Sequence, residues 1–152
     1  MELSKQLSPD RILIAPDVAN RDELFDLFGE VFERSGLVAK GTEVSQRLRD
    51  REDVLSTGIG GGWAIPHAQV PGIGRLAMAA STHHQPIDYP ALDNDPVKLV
   101  FCLLGDTQTT ADHLAGLARL ARLARRAEVL PRLMDAPTGK GFIAVLRNIE
   151  EG

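Results

Sequence analysis

A single cysteine, Cys102, removes any possibility of an internal disulfide. It lies inside the apolar run Leu99-Val100-Phe101-Cys102-Leu103-Leu104, so the thiol is expected in the core, in keeping with a reducing cytoplasm. Aromatic residues make up only 5% of the chain, too few for a platform that stacks single-stranded nucleic acid. A formal charge of -4 also disfavours DNA. No apolar run approaches the roughly 20 residues of a spanning helix, and Met1 to Gln6 has no apolar signal region. A soluble, cytoplasmic protein without membrane insertion is expected. No HExxH or Cys/His spacing is present, and neither a metal nor any other cofactor is expected. The 152 residues show no linker and no internal repeat, so 1–152 reads as a single domain.

What the chain does have is a concentration of special backbone chemistry in Ser56-Thr57-Gly58-Ile59-Gly60-Gly61-Gly62-Trp63-Ala64-Ile65-Pro66-His67-Ala68. Four glycines within Gly58 to Gly62 carry an entropic cost that implies a need for positive φ or close backbone approach. Two familiar glycine motifs fail here. A phosphate loop needs Gly-Lys-Ser/Thr after its glycines, and no lysine lies between Lys40 and Lys98. A dinucleotide fingerprint starting at Gly58 and Gly60 would need its third glycine where Trp63 stands, and no helix start follows. Trp63 to Ile65 reads as a short apolar strand, and Pro66 holds Ile65 extended, which presents His67 at a stiff strand exit.

Periodicity supports a mixture of strands and helices around one core. Arg11 to Ala15 is a strand candidate. Asn20 is placed to cap a helix with Glu23 in the reciprocal position, and Leu24, Leu27, Phe28, Val31 and Phe32 keep helical spacing up to Gly36. A second helix is expected from Thr42, with Val44 and Leu48 inward and Arg47, Arg49 and Arg51 along its last turns. Gly74 to Ser81 and Val97 to Leu104 are the central strand candidates, and Pro86 to Pro90 a short edge strand. His83 and His84 fall between these elements and read as exposed loop residues. Thr110 is placed to cap a long helix, Ala111 to about Arg126, with Leu114, Leu117, Ala118 and Ala121 keeping its apolar spacing. A short helix over Val129 to Met134 and a last one from Thr138 to Ile149 complete the chain.

The run Thr57-Gly58-Ile59-Gly60, then Gly62, then Ala64-Ile65-Pro66-His67-Ala68 resembles the phosphorylation-site signature of the fructose/mannitol-type enzyme IIA domains of the bacterial phosphotransferase system. Arg51-Glu52 upstream and Asp112-His113-Leu114 with Leu117 downstream resemble the same family, and the similarity runs through nearly the whole chain. Trp63 departs from the aliphatic residue expected there. The resemblance implies an α/β fold, a single domain with a mixed, mainly parallel sheet flanked by helices on both faces. It implies a phosphocarrier role with His67 as phosphoacceptor, His113 as its neighbour and Arg51 as a donor on the phosphate side. Thr57, Gly58, Gly60 and Gly62 are then expected to support the phosphate. It also implies HPr, or a nitrogen-type HPr, as phosphoryl donor, and a IIB domain or a regulatory target protein as the next partner.

The chemistry fits those residue types. Imidazole, with a pKa of about 6.5, is largely neutral and nucleophilic at cytoplasmic pH. Phosphoryl transfer through a loose, in-line transition state asks the protein for fixed amides and cations rather than covalent help. A histidine in the first turn of a helix has a bland alternative as a core or surface residue. At the level of function a regulatory, nitrogen-type role is expected; the alternatives are a sugar-specific IIA subunit relaying phosphoryl to a IIB cysteine and a non-catalytic binding module with a vestigial histidine site.

Overall fold

The computed structural model describes residues 1–54 and 56–152. Six strands form one sheet: β1 (Ile12–Ile14), β2 (Gly58–Gly60), β3 (Trp63–Ala64), β4 (His67–Gln69), β5 (Ala77–Ile87) and β6 (Val97–Gly105). Their order is β1-β5-β6-β3-β2, with β4 pairing β6 beyond the end of β3. β6 lies at the centre because it is apolar on both faces, with Val97 and Leu99 to Leu104 all buried. The pairings β1 to β5, β3 to β6 and β4 to β6 are parallel. The longest ladder, β5 to β6, is antiparallel and runs from Ala77 opposite Leu104 to Ile87 opposite Val97.

Helices cover both faces of this mixed sheet. On one side α1 (Arg21–Arg34) and α2 (Gly41–Val54) bury Leu24, Phe25, Phe28, Phe32, Val44 and Leu48 against Ala64, Ala79, Val100 and Cys102. On the other, α3 (Thr110–Ala124), α4 (Val129–Met134) and α5 (Gly139–Glu151) close over Trp63, Met78, Leu99, Phe101 and Leu103. Trp63 stacks on Phe101, with ring centroids 5.7 Å apart, and so belongs to the core rather than to a site rim. The start of α1 is fixed as its sequence requires: the Asn20 side chain accepts from the Glu23 amide at 2.9 Å. The two helices of that layer cross at bare backbone, because a Cβ on Gly29 would run into the carbonyl oxygen of Gly41.

Four expectations change. The strand ending at Ser81 instead continues to Ile87, so Pro86 falls inside β5 and the separate edge strand over Pro86 to Pro90 is absent as such. The ladder is irregular between Thr82 and Ile87, which is where a proline is tolerated. His83 is consequently no loop residue: it is buried at 2% exposure and its Nε2 lies 2.7 Å from the Ser81 hydroxyl, while His84 is exposed. Thr109, not Thr110, stands at the N-cap position of α3 and makes no side-chain cap bond, its Oγ1 accepting instead from the Asp106 amide; the buried stripe is Gly116, Leu120 and Leu123 with Leu117 partly covered. Leu114 is 60% exposed and Ala118 and Ala121 face solvent, because close contact at Gly116 rotates the helix away from the face that side-chain size alone suggests.

Candidate functional site

The sheet break between β3 and β4 places His67. Pro66 has no amide to give to a ladder, so pairing with β6 stops after Ala64 and resumes at His67, which stands opposite Leu103. His67 therefore opens a strand, one residue after the proline, instead of ending one. Ala68 packs into the α1–α2 layer, so the alternation of the strand turns His67 toward the α3 layer. There it meets His113 edge to face, with ring centroids 5.5 Å apart and ring planes at 67°. Both rings are half-buried.

His113 reaches this position because β6 ends in Gly105. A Cβ on Gly105 would lie 2.8 Å from His113 Nδ1 and 2.9 Å from Thr109 Oγ1. One turn further along α3, a Cβ on Gly116 would lie 3.0 Å from Leu103 Cδ2. Two glycines thus let the first half of α3 approach the sheet more closely than side chains would allow. Asp106 organises the entry to the helix by accepting from the amides of Gly74 at 2.7 Å and Gln108 at 2.9 Å, and Thr109 Oγ1 accepts from the Asp106 amide at 2.8 Å. The first amides of α3 have no acceptor within the helix and point, with the positive end of its dipole, out of its start.

The Nδ1 of His67 lies 2.8 Å from the Ile65 carbonyl oxygen. A carbonyl can only accept, so Nδ1 carries the proton and Nε2 keeps its lone pair. Burial holds the pKa of His67 below its ordinary value; the Ile65 carbonyl works against that, Arg51 adds to it, and Glu52 opposes it. His113 is lowered by burial and by His67 itself. Both imidazoles are accordingly neutral near pH 7, with a fixed cation, Arg51 in the last turn of α2, acting on the first.

The glycines divide into two groups. Thr57 and Gly58 flank the His67 segment: the Ile65 amide donates to Thr57 O at 2.9 Å, and Gly58 pairs with Ala64. Gly60, Gly61 and Gly62, with φ of 92°, 64° and 88°, make the hairpin turn between β2 and β3 at the opposite end. Gly62 O accepts from Lys98 and Leu99, whereas His67 is level with Leu103. At about 3.3 Å per residue along β6, the turn lies about 15 Å from the imidazole. The Gly61 amide is moreover bonded to Asp93 at 2.9 Å. The structure therefore brings together His67, His113, Arg51, Thr57 and Gly58, and leaves Gly60 and Gly62 at a distance, where positive φ serves the hairpin. Among the described residues no group of three or more His, Cys, Asp or Glu side chains is arranged to hold a metal ion.

Sequence reasoning missed Gly105, and it noted Glu52 only beside Arg51 in the family resemblance, without the buried carboxylate that the structure shows. Nothing in the sequence distinguishes Gly105 from any glycine ending a strand. Glu52 did leave a signal: it follows Val44 and Leu48 at i+8 and i+4, on the inward stripe of α2, where an acid needs partners.

Residues 5–149 match the family described as phosphoenolpyruvate-dependent sugar phosphotransferase system, EIIA 2. The chain belongs to that family. It is 30% identical over 152 residues to a nitrogen regulatory protein of Pseudomonas aeruginosa, covering 100% of this chain and 99% of the relative. The nitrogen regulatory protein IIA-Ntr of Neisseria meningitidis has a similar structure, with a TM-score of 0.87, 29% identity and coverage of 95% of this chain and 98% of that one. The fold is also that of the mannitol enzyme IIA of Escherichia coli, solved in complex with phosphorylated IIB, with a TM-score of 0.76 at 18% identity, covering 93% of this chain and 97% of that one. The mixed sheet between two helical layers is thus the architecture shared with these structures. No helix of the described residues is long and apolar enough to cross a membrane.

Proposed function

We propose that this protein is a phosphocarrier that accepts a phosphoryl group from an HPr-type donor on Nε2 of His67, in a regulatory role of the nitrogen type in the cytoplasm. The observation that carries the reading is the pairing of an Nδ1-protonated, neutral His67 with His113 at the open start of α3. The Nε2 lone pair attacks the phosphorus of the donor's phosphohistidine. The new P–N bond forms as the old one breaks, the donor nitrogen keeps the electron pair, and the His67 proton stays on Nδ1 against Ile65. Arg51 and the first amides of α3 offset the charge of the equatorial oxygens, and His113 steadies the phosphoryl group from the side. Thr57 and Gly58 hold the His67 segment, a supporting role that does not extend to Gly60 and Gly62.

The regulatory role rests on similarity along the whole length of a nitrogen regulatory protein. Relay to the cysteine of a IIB domain is the second reading, favoured by the shared fold with a mannitol IIA that was solved bound to phosphorylated IIB. Incubation with phosphoenolpyruvate, enzyme I and HPr is expected to place an acid-labile, base-stable phosphate on the wild type and none on His67→Ala. Labelling retained in that variant would overturn the site, and an unlabelled wild type would favour a binding module. Phosphate passing onward to a IIB cysteine at a rate matching its acquisition would favour the relay.

A further inference from the structure

Glu52, like Asp106 at the start of α3, is a buried acid beside the site, and it lies on the α2 side of His67. Its side chain is 1% exposed, yet it lies among donors: both carboxylate oxygens are 3.2 Å from the Thr57 amide, the Thr57 hydroxyl donates to it, Tyr89 Oη donates at 2.9 Å, and Arg21 approaches at 3.4 Å. Tyr89 keeps its proton for this, since burial and then the Glu52 charge push its pKa well up. A carboxylate so enclosed is stable only because each oxygen is satisfied.

The hydrogen bonds run on from there to the imidazole. Glu52 fixes Thr57; Thr57 O accepts from the Ile65 amide at 2.9 Å; and Ile65 O receives Nδ1–H of His67 at 2.8 Å. Two short backbone steps thus separate the buried acid from the proton that decides which ring nitrogen is free. Glu52 is also the residue after Arg51, so the same anchor that orients the His67 segment holds the end of the helix that presents the guanidinium. Among the described residues, Arg51 and Glu52 from α2 act on His67, and His67 in turn acts on His113 of α3, against which its ring packs.

We propose that Glu52 is a positioning residue for phosphoryl transfer, which fixes the tautomer and direction of the His67 ring through Thr57 and Ile65 and sets Arg51 beside it. The proposal rests on the phosphocarrier reading for its consequence, but not for its test. A residue that merely filled a hole and satisfied the Thr57 amide would alter stability and leave the ring untouched. Glu52→Gln keeps the volume but removes the charge and turns an amide donor toward the Thr57, Tyr89 and Arg21 donors. Ring nitrogen shifts of His67, followed by NMR across pH in the donor-free protein, report tautomer and titration directly.

In Glu52→Gln the Nδ1–H tautomer is expected to give way to a mixture, with the titration of His67 displaced. Transfer from phosphorylated HPr should slow about 10- to 100-fold, the scale of a misplacement of about 1 Å. In an Arg51→Gln background the same substitution should slow transfer less, since part of its effect passes through Arg51. Tyr89→Phe removes one donor and leaves the packing, so it should shift the ring spectrum in the same direction by less, and it serves if Glu52→Gln does not fold. Ring spectra and rates identical to wild type in a folded Glu52→Gln, or an unchanged ring spectrum in Tyr89→Phe where Glu52→Gln does not fold, would overturn the proposal. A wild type that takes no phosphate would overturn the phosphocarrier reading alone, because the ring measurements need no donor.

Discussion

Replacing Gly105 by alanine tests whether the contact between the two imidazoles matters. The added Cβ would lie 2.8 Å from His113 Nδ1 and 2.9 Å from Thr109 Oγ1. Carbon atoms rest about 3.5 Å or more from their neighbours, so the ring and the cap must each retreat by roughly 0.7 Å. Thr109 Oγ1 accepts from the Asp106 amide, and retreat there loosens the entry to α3 as well. Overpacking of this kind costs about 1–3 kcal/mol, or roughly 2–10 °C in Tm for a domain of this size. A displacement approaching 1 Å beside a reacting centre slows transfer by tenfold or more on the scale of about 100-fold per ångström. Scanning calorimetry gives the first quantity, and single-turnover phosphorylation by HPr the second. The two should separate: Gly105→Ala remains folded at 25 °C while its rate falls. A variant that transfers at the wild-type rate, with the edge-to-face contact moved in its crystal structure, would show that His113 has no part in transfer and that α3 approaches the sheet for packing alone.

Other outcomes follow from the same geometry. His83, held by burial at a pKa of about 4 against an ordinary 6.5, binds its proton later than the unfolded chain does as pH falls. Its contribution is fully present above pH 7 and lost toward pH 4; about 2 kcal/mol should vanish between pH 7 and 5, and urea unfolding of His83→Gln should show a correspondingly shallower loss. An identical pH slope in that variant would mean His83 titrates normally in the fold. His67 and His113 are lowered too, so protonation of either in the same window works in the same direction, and phosphoryl acceptance should fall with acid as the Nε2 lone pair is lost. Gly29→Ala, which drives a methyl into the Gly41 carbonyl, should cost at least about 2 kcal/mol despite the gain in helix propensity, measurable as a lower urea midpoint with unchanged slope. Gly62→Ala should leave phosphorylation of folded protein untouched, because the hairpin turn is distant from His67, and should act on stability through its φ of 88°.

Local chemistry written in the sequence was enough to place α1, with its Asn20 cap and reciprocal Glu23, and to recognise the two-sided burial of β6. The special status of the Thr57 to Ala68 stretch was likewise legible, because proline and glycine act on the residues next to them. Reading failed where distant backbone decided the outcome. His83 looked exposed because Pro86 suggests an ending, but pairing with β6 carries β5 past it. The glycines looked like one loop, yet the antiparallel pairing of β2 with β3 sends Gly60 and Gly62 to the far end of the hairpin. The inward face of α3 was misjudged because glycine allows contact that hydrophobicity does not advertise. What the sequence by itself determined is the stiff segment that carries His67, the ring proposed as phosphoacceptor. Only the tertiary structure decided which nitrogen is free, that His113 stands against it, and that a buried glutamate is linked to the ring through Thr57 and Ile65: His113 comes from far along the chain, and the short-range bonds of His67 to Ile65 and of Thr57 to Glu52 depend on how pairing with β6 and packing of α2 set this segment.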